Sequence, residues 1–320
     1  MSAPTPPADR ALPLEGSRIP LIPQGAWRRE YPFRSRYLER PRGLLHYVDE
    51  GTGPPVALVH GNPTWSFLFR ALIGGLRGQY RCLAPDHLGM GLSSRLAPGA
   101  RPLRLADRVA DFGAFMDSLK LSEPVHLVVH DWGGPIALGW AVEAPERVAS
   151  IAFANTGFRP APGSRLPASL ALFQKSSAGA NFLARDLGLF TRGLARVGTL
   201  RPLRAAAREG LLAPYAKKAH RASVASFISD IPLGPRHPSF ATLEKIRAGF
   251  GRLEKKPILL LWGLLDFVFD NLFLEDLYRR FPRAALLTLP RAGHWLFEDE
   301  PLKILRGLRR FYASTPTAPL

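Results

Sequence analysis

The chain alternates between short apolar runs and stretches with helical spacing. Val56-Ala57-Leu58-Val59-His60 is one such run, closed by Gly61-Asn62-Pro63. Runs of this length bounded by turn residues predict buried strands. Residues 80–86, 125–130, 148–155, 257–262 and 285–289 repeat the pattern. Between them, Leu105, Val109, Phe112, Phe115, Met116 and Leu119 recur at three- and four-residue spacing and predict a helix over 104–119. Further helices are expected over 66–76 and from Gly133-Gly134 through Val142. Residues 37–49 read as a β-hairpin turning near Gly43. Strands alternating with helices predict a mostly parallel sheet with flanking helices. Such sheets place their chemistry in the loops beyond the carboxyl ends of the strands.

The rhythm stops between 157 and 227. That stretch reads as helical pieces broken by Gly and Pro, without a clear strand, and is expected to be an inserted helical lid. The core is expected over 31–156 and 228–314. Residues 1–30, with Pro4, Pro6, Pro7, Pro13, Pro20 and Pro23, are expected to form a flexible tail, and 315–320 a second short one.

Composition changes this picture little. With 320 residues, 46% hydrophobic and 22% charged, the chain can bury a sizeable core. Cys82 is the only cysteine, which excludes a disulfide framework and a cysteine-rich metal site and fits a reducing cytoplasm. The first 30 residues lack the apolar run of a secretory signal, and no uncharged apolar stretch is long enough to span a bilayer. A cytoplasmic protein is expected, with no cofactor and no metal. Charge adds more. The net charge is +17, and 157–227 alone carries twelve Lys or Arg against Asp186 and Glu209. A basic balance fits an anionic membrane surface or an acidic partner enzyme. It fits equally an Arg-rich coding bias without any partner, since Arg far outnumbers Lys. No nucleic-acid-binding signature accompanies it, so nucleic acid is not expected.

Candidate chemistry centres on Asp131. It follows an apolar run and precedes Trp132-Gly133-Gly134 and a helix, as at the elbow that exposes a nucleophile between strand and helix. The usual G-x-S-x-G frame carries Ser; here a carboxylate stands in its place. An Asp before a helix has a second reading, as an N-cap. Asp266 follows the run ending in Trp262, and His294 follows the final run after Gly293. Nucleophile, acid, then base is the chain order of α/β-hydrolase triads.

With these residues the chain resembles the haloalkane dehalogenase family of α/β-hydrolases, over about residues 35–312. The motifs are His60-Gly61-Asn62-Pro63-Thr64-Trp65-Ser66, Asp86-His87-Leu88-Gly89-Met90-Gly91-Leu92-Ser93, His130-Asp131-Trp132-Gly133-Gly134, Trp262-Gly263-Leu264-Leu265-Asp266 and Gly293-His294. The resemblance implies that Asp131 attacks an electrophilic carbon to form an ester. It implies that His294 activates water against that ester, and that Asp266 orients His294. It implies that Asn62 and the indole N–H of Trp132 hold the leaving anion, with the backbone N–H of Trp132 and a donor near Asn62 as an oxyanion hole. On the residues alone, Asn62 also reads as a turn residue before Pro63, and Trp132 as core packing.

Several neighbours in the fold fit less well. Epoxide hydrolases use two lid tyrosines, and 157–227 holds only Tyr215. A dehalogenase subgroup with Glu after the strand before the lid is excluded by Asn155-Thr156-Gly157-Phe158. The chain is most similar to a third subgroup, which includes β-lactone decarboxylases of bacterial long-chain olefin synthesis. It resembles that subgroup at Leu211-Leu212-Ala213-Pro214-Tyr215, Asp230-Ile231-Pro232-Leu233 and Asp266-Phe267-Val268-Phe269-Asp270. Ala216-Lys217-Lys218 departs from it, where relatives often carry polar and Trp residues. The resemblance implies an apolar substrate: a cis-β-lactone, attacked at its carbonyl by Asp131 and fragmenting to alkene and carbon dioxide, or alternatively a haloalkane. A ligand receptor on a retained hydrolase core is the reading from a different class.

Overall fold

A computed structural model describes residues 20, 22, 25–97, 99–158 and 181–315. Most of the expected tail, the first part of the expected lid (159–180), residue 98 and 316–320 lie outside the described residues. Eight strands form one sheet: β1 (Arg36–Arg40), β2 (Gly43–Glu50), β3 (Pro55–Val59), β4 (Arg81–Pro85), β5 (Val125–His130), β6 (Val148–Ala154), β7 (Ile258–Gly263) and β8 (Ala285–Leu289). Their order is β1-β2-β4-β3-β5-β6-β7-β8. β2 runs antiparallel to both neighbours, and every other pairing is parallel. β3, β5 and β7 are buried along their whole length, as parallel strands covered on both faces must be. The edge strand β8 starts exposed.

The helices are α1 (Arg70–Leu76), α2 (Leu105–Ser118), α3 (Gly133–Ala141), α4 (Leu189–Val197), α5 (Ala205–Leu212), α6 (Ala222–Ser229), α7 (Phe240–Ala248), α8 (Asn271–Arg280), α9 (Leu296–Asp299) and α10 (Pro301–Ala313). α2 packs on α3 and α1 on α10. This is the α/β-hydrolase architecture. Between β6 and β7 the described residues form helices and no strand, and α6 runs to Ser229, past 227. Among the described residues no helix is long and apolar enough to cross a membrane.

The composition reading placed residues 26–30 in a flexible tail, but they form a short 3-10 turn with Trp27 fully buried. Trp27 packs edge-on against Trp65, centroids 5.6 Å apart, and against Phe67 at 6.0 Å. One buried indole removes enough apolar surface from water to hold residues 26–30 on the core.

Candidate active site

The elbow after β5 is built by close approach. Asp131 has φ +51°, a left-handed backbone that costs a non-glycine residue on the order of 1–3 kcal/mol. Three bonds hold it there. Its N–H donates to the Asn155 carbonyl (3.1 Å), and its own carbonyl accepts from Gly134 N (3.0 Å) and Thr156 Oγ1 (2.6 Å). A side chain at Gly133 would put Cβ 2.0 Å from the Val59 carbonyl oxygen, and one at Gly61 would put it 2.1 Å from Asp131 Oδ1. Glycine at both positions is what lets the β3 and β5 loops converge on one carboxylate.

That carboxylate does not cap α3, whose N-cap is Trp132 and has no side-chain cap. Oδ1 accepts from the backbone N–H of Asn62 (2.9 Å) and from that of Trp132. Oδ2 lies 3.6 Å from His294 Nε2. On the other side of the ring, His294 Nδ1–H donates to Asp266 Oδ2 (2.9 Å). Asp266 also accepts from Val268 N (2.7 Å) and Asn155 Nδ2 (2.6 Å). The structure thus brings Asp131, His294 and Asp266 together from the ends of β5, β8 and β7.

Burial raises the Asp131 carboxyl to about 6, against the pull of His294 and the two backbone N–H donors. Burial opposes protonation of His294, but Asp266, and behind it Asp131, outweigh burial and hold its pKa above the ordinary histidine value. An imidazole of raised basicity between two carboxylates can take a proton from water and keep it.

Over Asp131 lies a cavity of about 270 Å³. Asn62, Asp131, Trp132 and His294 line its floor, and every other described lining residue is apolar or glycine, including Leu105, Phe158, Phe190, Ile228, Phe269 and Phe273. Asn62 Nδ2 gives one hydrogen to the Val224 carbonyl (3.3 Å) and has a second to offer. The Trp132 indole stands edge-on to Phe227, centroids 5.4 Å apart, and its N–H donates to no described protein group. Asn62 is also a turn residue, before a cis bond to Pro63. Tyr215 is buried away from the cavity, donating to the Thr64 carbonyl (3.0 Å). Among the described residues no cluster of His, Cys, Asp and Glu is arranged to hold a metal ion.

Two supporting residues went unread in the sequence. Asn155 has φ +37° and is fully buried; its carbonyl holds Asp131, and its side chain accepts from Gly263 N (2.8 Å) as it donates to Asp266. His130 Nε2–H donates to the His294 carbonyl (2.8 Å), tying His294 to the strand that carries Asp131. Their place beside strand ends was the available signal; the partners of their side chains lie over a hundred residues away.

The α/β-hydrolase fold family matches residues 54–301. A cis-3-alkyl-4-alkyloxetan-2-one decarboxylase of Shewanella oneidensis is 36% identical over 288 residues, covering 89% of this chain and 90% of that protein. Haloalkane dehalogenase 2 of Mycobacterium tuberculosis is 38% identical over 279 residues, covering 87% of this chain and 94% of that protein. The chain belongs to the haloalkane dehalogenase family of α/β-hydrolases. This is a family of enzymes, and the matched residues 54–301 take in β3 to β8. The crystal structure of the haloalkane dehalogenase DatA from Agrobacterium tumefaciens superposes with a TM-score of 0.79 at 23% identity, over 88% of this chain and 96% of that one, which shows the shared fold.

Proposed function

We propose that this enzyme decarboxylates an oxetan-2-one, a β-lactone bearing two alkyl chains, to an alkene and carbon dioxide. The observation that carries the reading is a carboxylate nucleophile at the floor of an otherwise apolar cavity. The 36%-identical relative named for such a decarboxylation supports it. Oδ1 is held by two N–H donors, so Oδ2 is the attacking oxygen. Attack at the ring carbonyl leaves an anhydride, from which carbon dioxide cannot depart without a further oxygen transfer. Displacement at the alkyl carbon balances without any added reactant. Oδ2 bonds to that carbon as the ring C–O bond breaks, and the freed carboxylate stays on the neighbouring carbon. Its C–C bond then breaks, the electron pair forms the C=C bond, and Asp131 leaves as carboxylate.

Inversion sets the new C–O bond opposite the carboxylate, the arrangement from which fragmentation proceeds, and a cis lactone then gives a cis alkene. His294 supplies positive charge beside both carboxylates. Asn62 Nδ2 and the Trp132 indole face the departing anion.

The second reading is dehalogenation, supported by the same floor and by the 38%-identical relative. There the ester is hydrolysed by water that His294 activates, and one water oxygen enters Asp131. The test separates them. Purified enzyme is given a cis-3,4-dialkyloxetan-2-one or 1-bromobutane for one turnover in ¹⁸O-water, and the Asp131 peptide is weighed. Alkene with an unlabelled Asp131 is expected from the lactone, and bromide with a labelled Asp131 from the haloalkane. Lactone consumed to a hydroxy acid, or not consumed at all, would overturn the first reading. We place the enzyme in the cytoplasm, where its water-insoluble substrate is met at a membrane surface.

A further inference from the structure

The lip of the cavity is apolar and open. Leu189, Val197 and Phe267 line the cavity and are themselves 48%, 59% and 42% exposed. Leu187, Leu200 and Leu265 continue the exposed apolar surface along the chain. The cause lies in α4. At about 100° per residue, Leu189, Arg192, Gly193, Arg196 and Val197 share one side of that helix. Thr191, Leu194 and Ala195 are its buried residues. A surface helix ordinarily keeps its outer side polar. Here Leu189 and Val197 turn to the cavity, and Arg192 and Arg196 stand beside them. Arg192, Arg196 and Arg201 are exposed and have no ion-pair partner among the described residues.

We propose that this lip docks on an anionic lipid bilayer, so that an apolar substrate passes from the bilayer to Asp131 without crossing water. Exposed apolar side chains flanked by arginines match the two layers of a membrane interface: acyl chains below, anionic headgroups above. An acidic protein would satisfy the arginines and leave the leucines and Val197 unmatched. The proposal rests on the apolar-substrate reading, and its test involves no turnover, so the two fail separately.

The full chain is sedimented with phosphatidylcholine vesicles with and without phosphatidylglycerol, at low and high salt. Binding is expected only with phosphatidylglycerol and should weaken with salt. The variant Arg192→Gln/Arg196→Gln/Arg201→Gln should bind about a hundredfold more weakly, roughly fivefold per charge, with an unchanged circular dichroism spectrum. A second measurement locates the contact. Cys82 is buried, so Val197→Cys takes a polarity-sensitive dye at a single exposed site. Its emission should shift to the blue on the anionic vesicles. A dye at Lys255→Cys should not shift; that residue sits with Arg279 and Arg283 on a second basic surface, at the amino end of β7. Absence of vesicle binding, an unaffected triple variant, or a shift at 255 without one at 197 would overturn the proposal. So would binding to polyglutamate in place of vesicles, which would mark the surface as a site for an acidic protein.

Discussion

Asp131→Asn should stabilise the protein while abolishing turnover. Burial lifts the Asp131 carboxyl from 3.8 to about 6. The native state therefore binds this proton more tightly than the unfolded chain does. Its contribution to stability is full below pH 3.8 and is lost as pH rises through 6. Two units at ~1.36 kcal/mol each make the anion's burial cost ~3 kcal/mol at pH 8. Asparagine keeps the shape and the acceptor for Asn62 N and Trp132 N without the charge. The variant should be more stable by up to ~3 kcal/mol at pH 8 and by about half that at pH 5, where the native carboxyl is mostly protonated. Asp131 ranks behind burial and Asp266 among the influences on His294, so the histidine's own titration largely cancels between the two proteins. Urea unfolding followed by tryptophan fluorescence at both pH values measures the difference, provided the slopes with urea agree. A variant no more stable than the parent at pH 8, or an advantage that grows toward pH 5, would refute the argument. The same protonation should make kcat/KM of the parent fall as pH drops through 6.

Three further outcomes are expected. His294→Phe should accumulate an alkyl-enzyme with a reactive bromoalkane, because Asp131 attack needs no base and hydrolysis does; intact-mass spectrometry shows the increment or its absence. Asn62→Ala and Trp132→Phe each remove a donor that the proposed mechanism turns to the departing anion, and about a hundredfold loss of kcat is expected for each; wild-type rates in both would reduce them to packing. Asn155→Ala leaves Gly263 N without its acceptor and takes a donor from Asp266, and each buried orphan costs about 1–3 kcal/mol. Its Tm should fall by several degrees, and its kcat should drop more than its KM changes; an unchanged Tm would show that another group fills the gap.

The sequence by itself determined the strands, the elbow and the chain order of Asp131, Asp266 and His294. Each of those signals is local: an apolar run, a turn signal, and a reactive side chain within a few residues. The hairpin at Gly43 and the helix over 104–119 were read for the same reason. Tertiary structure decided the rest. Asn155 looked like a residue that merely was not Glu until two chain segments, more than a hundred residues on, were folded against it. Trp27 read as part of a tail because composition averages over neighbours, whereas its burial depends on Trp65 and Phe67 across the core. The sequence leaves α7, α8 and α10 without a side, since apolar stripes such as Ile304, Leu308, Phe311 and Tyr312 acquire one only against their neighbours: α2 and α3 for α7, β7 for α8, and α1 for α10. The basic balance of 157–227 was plain in the sequence. Only α4's packing showed which arginines flank the lip, because the side of a helix left to solvent is fixed by what covers the other side.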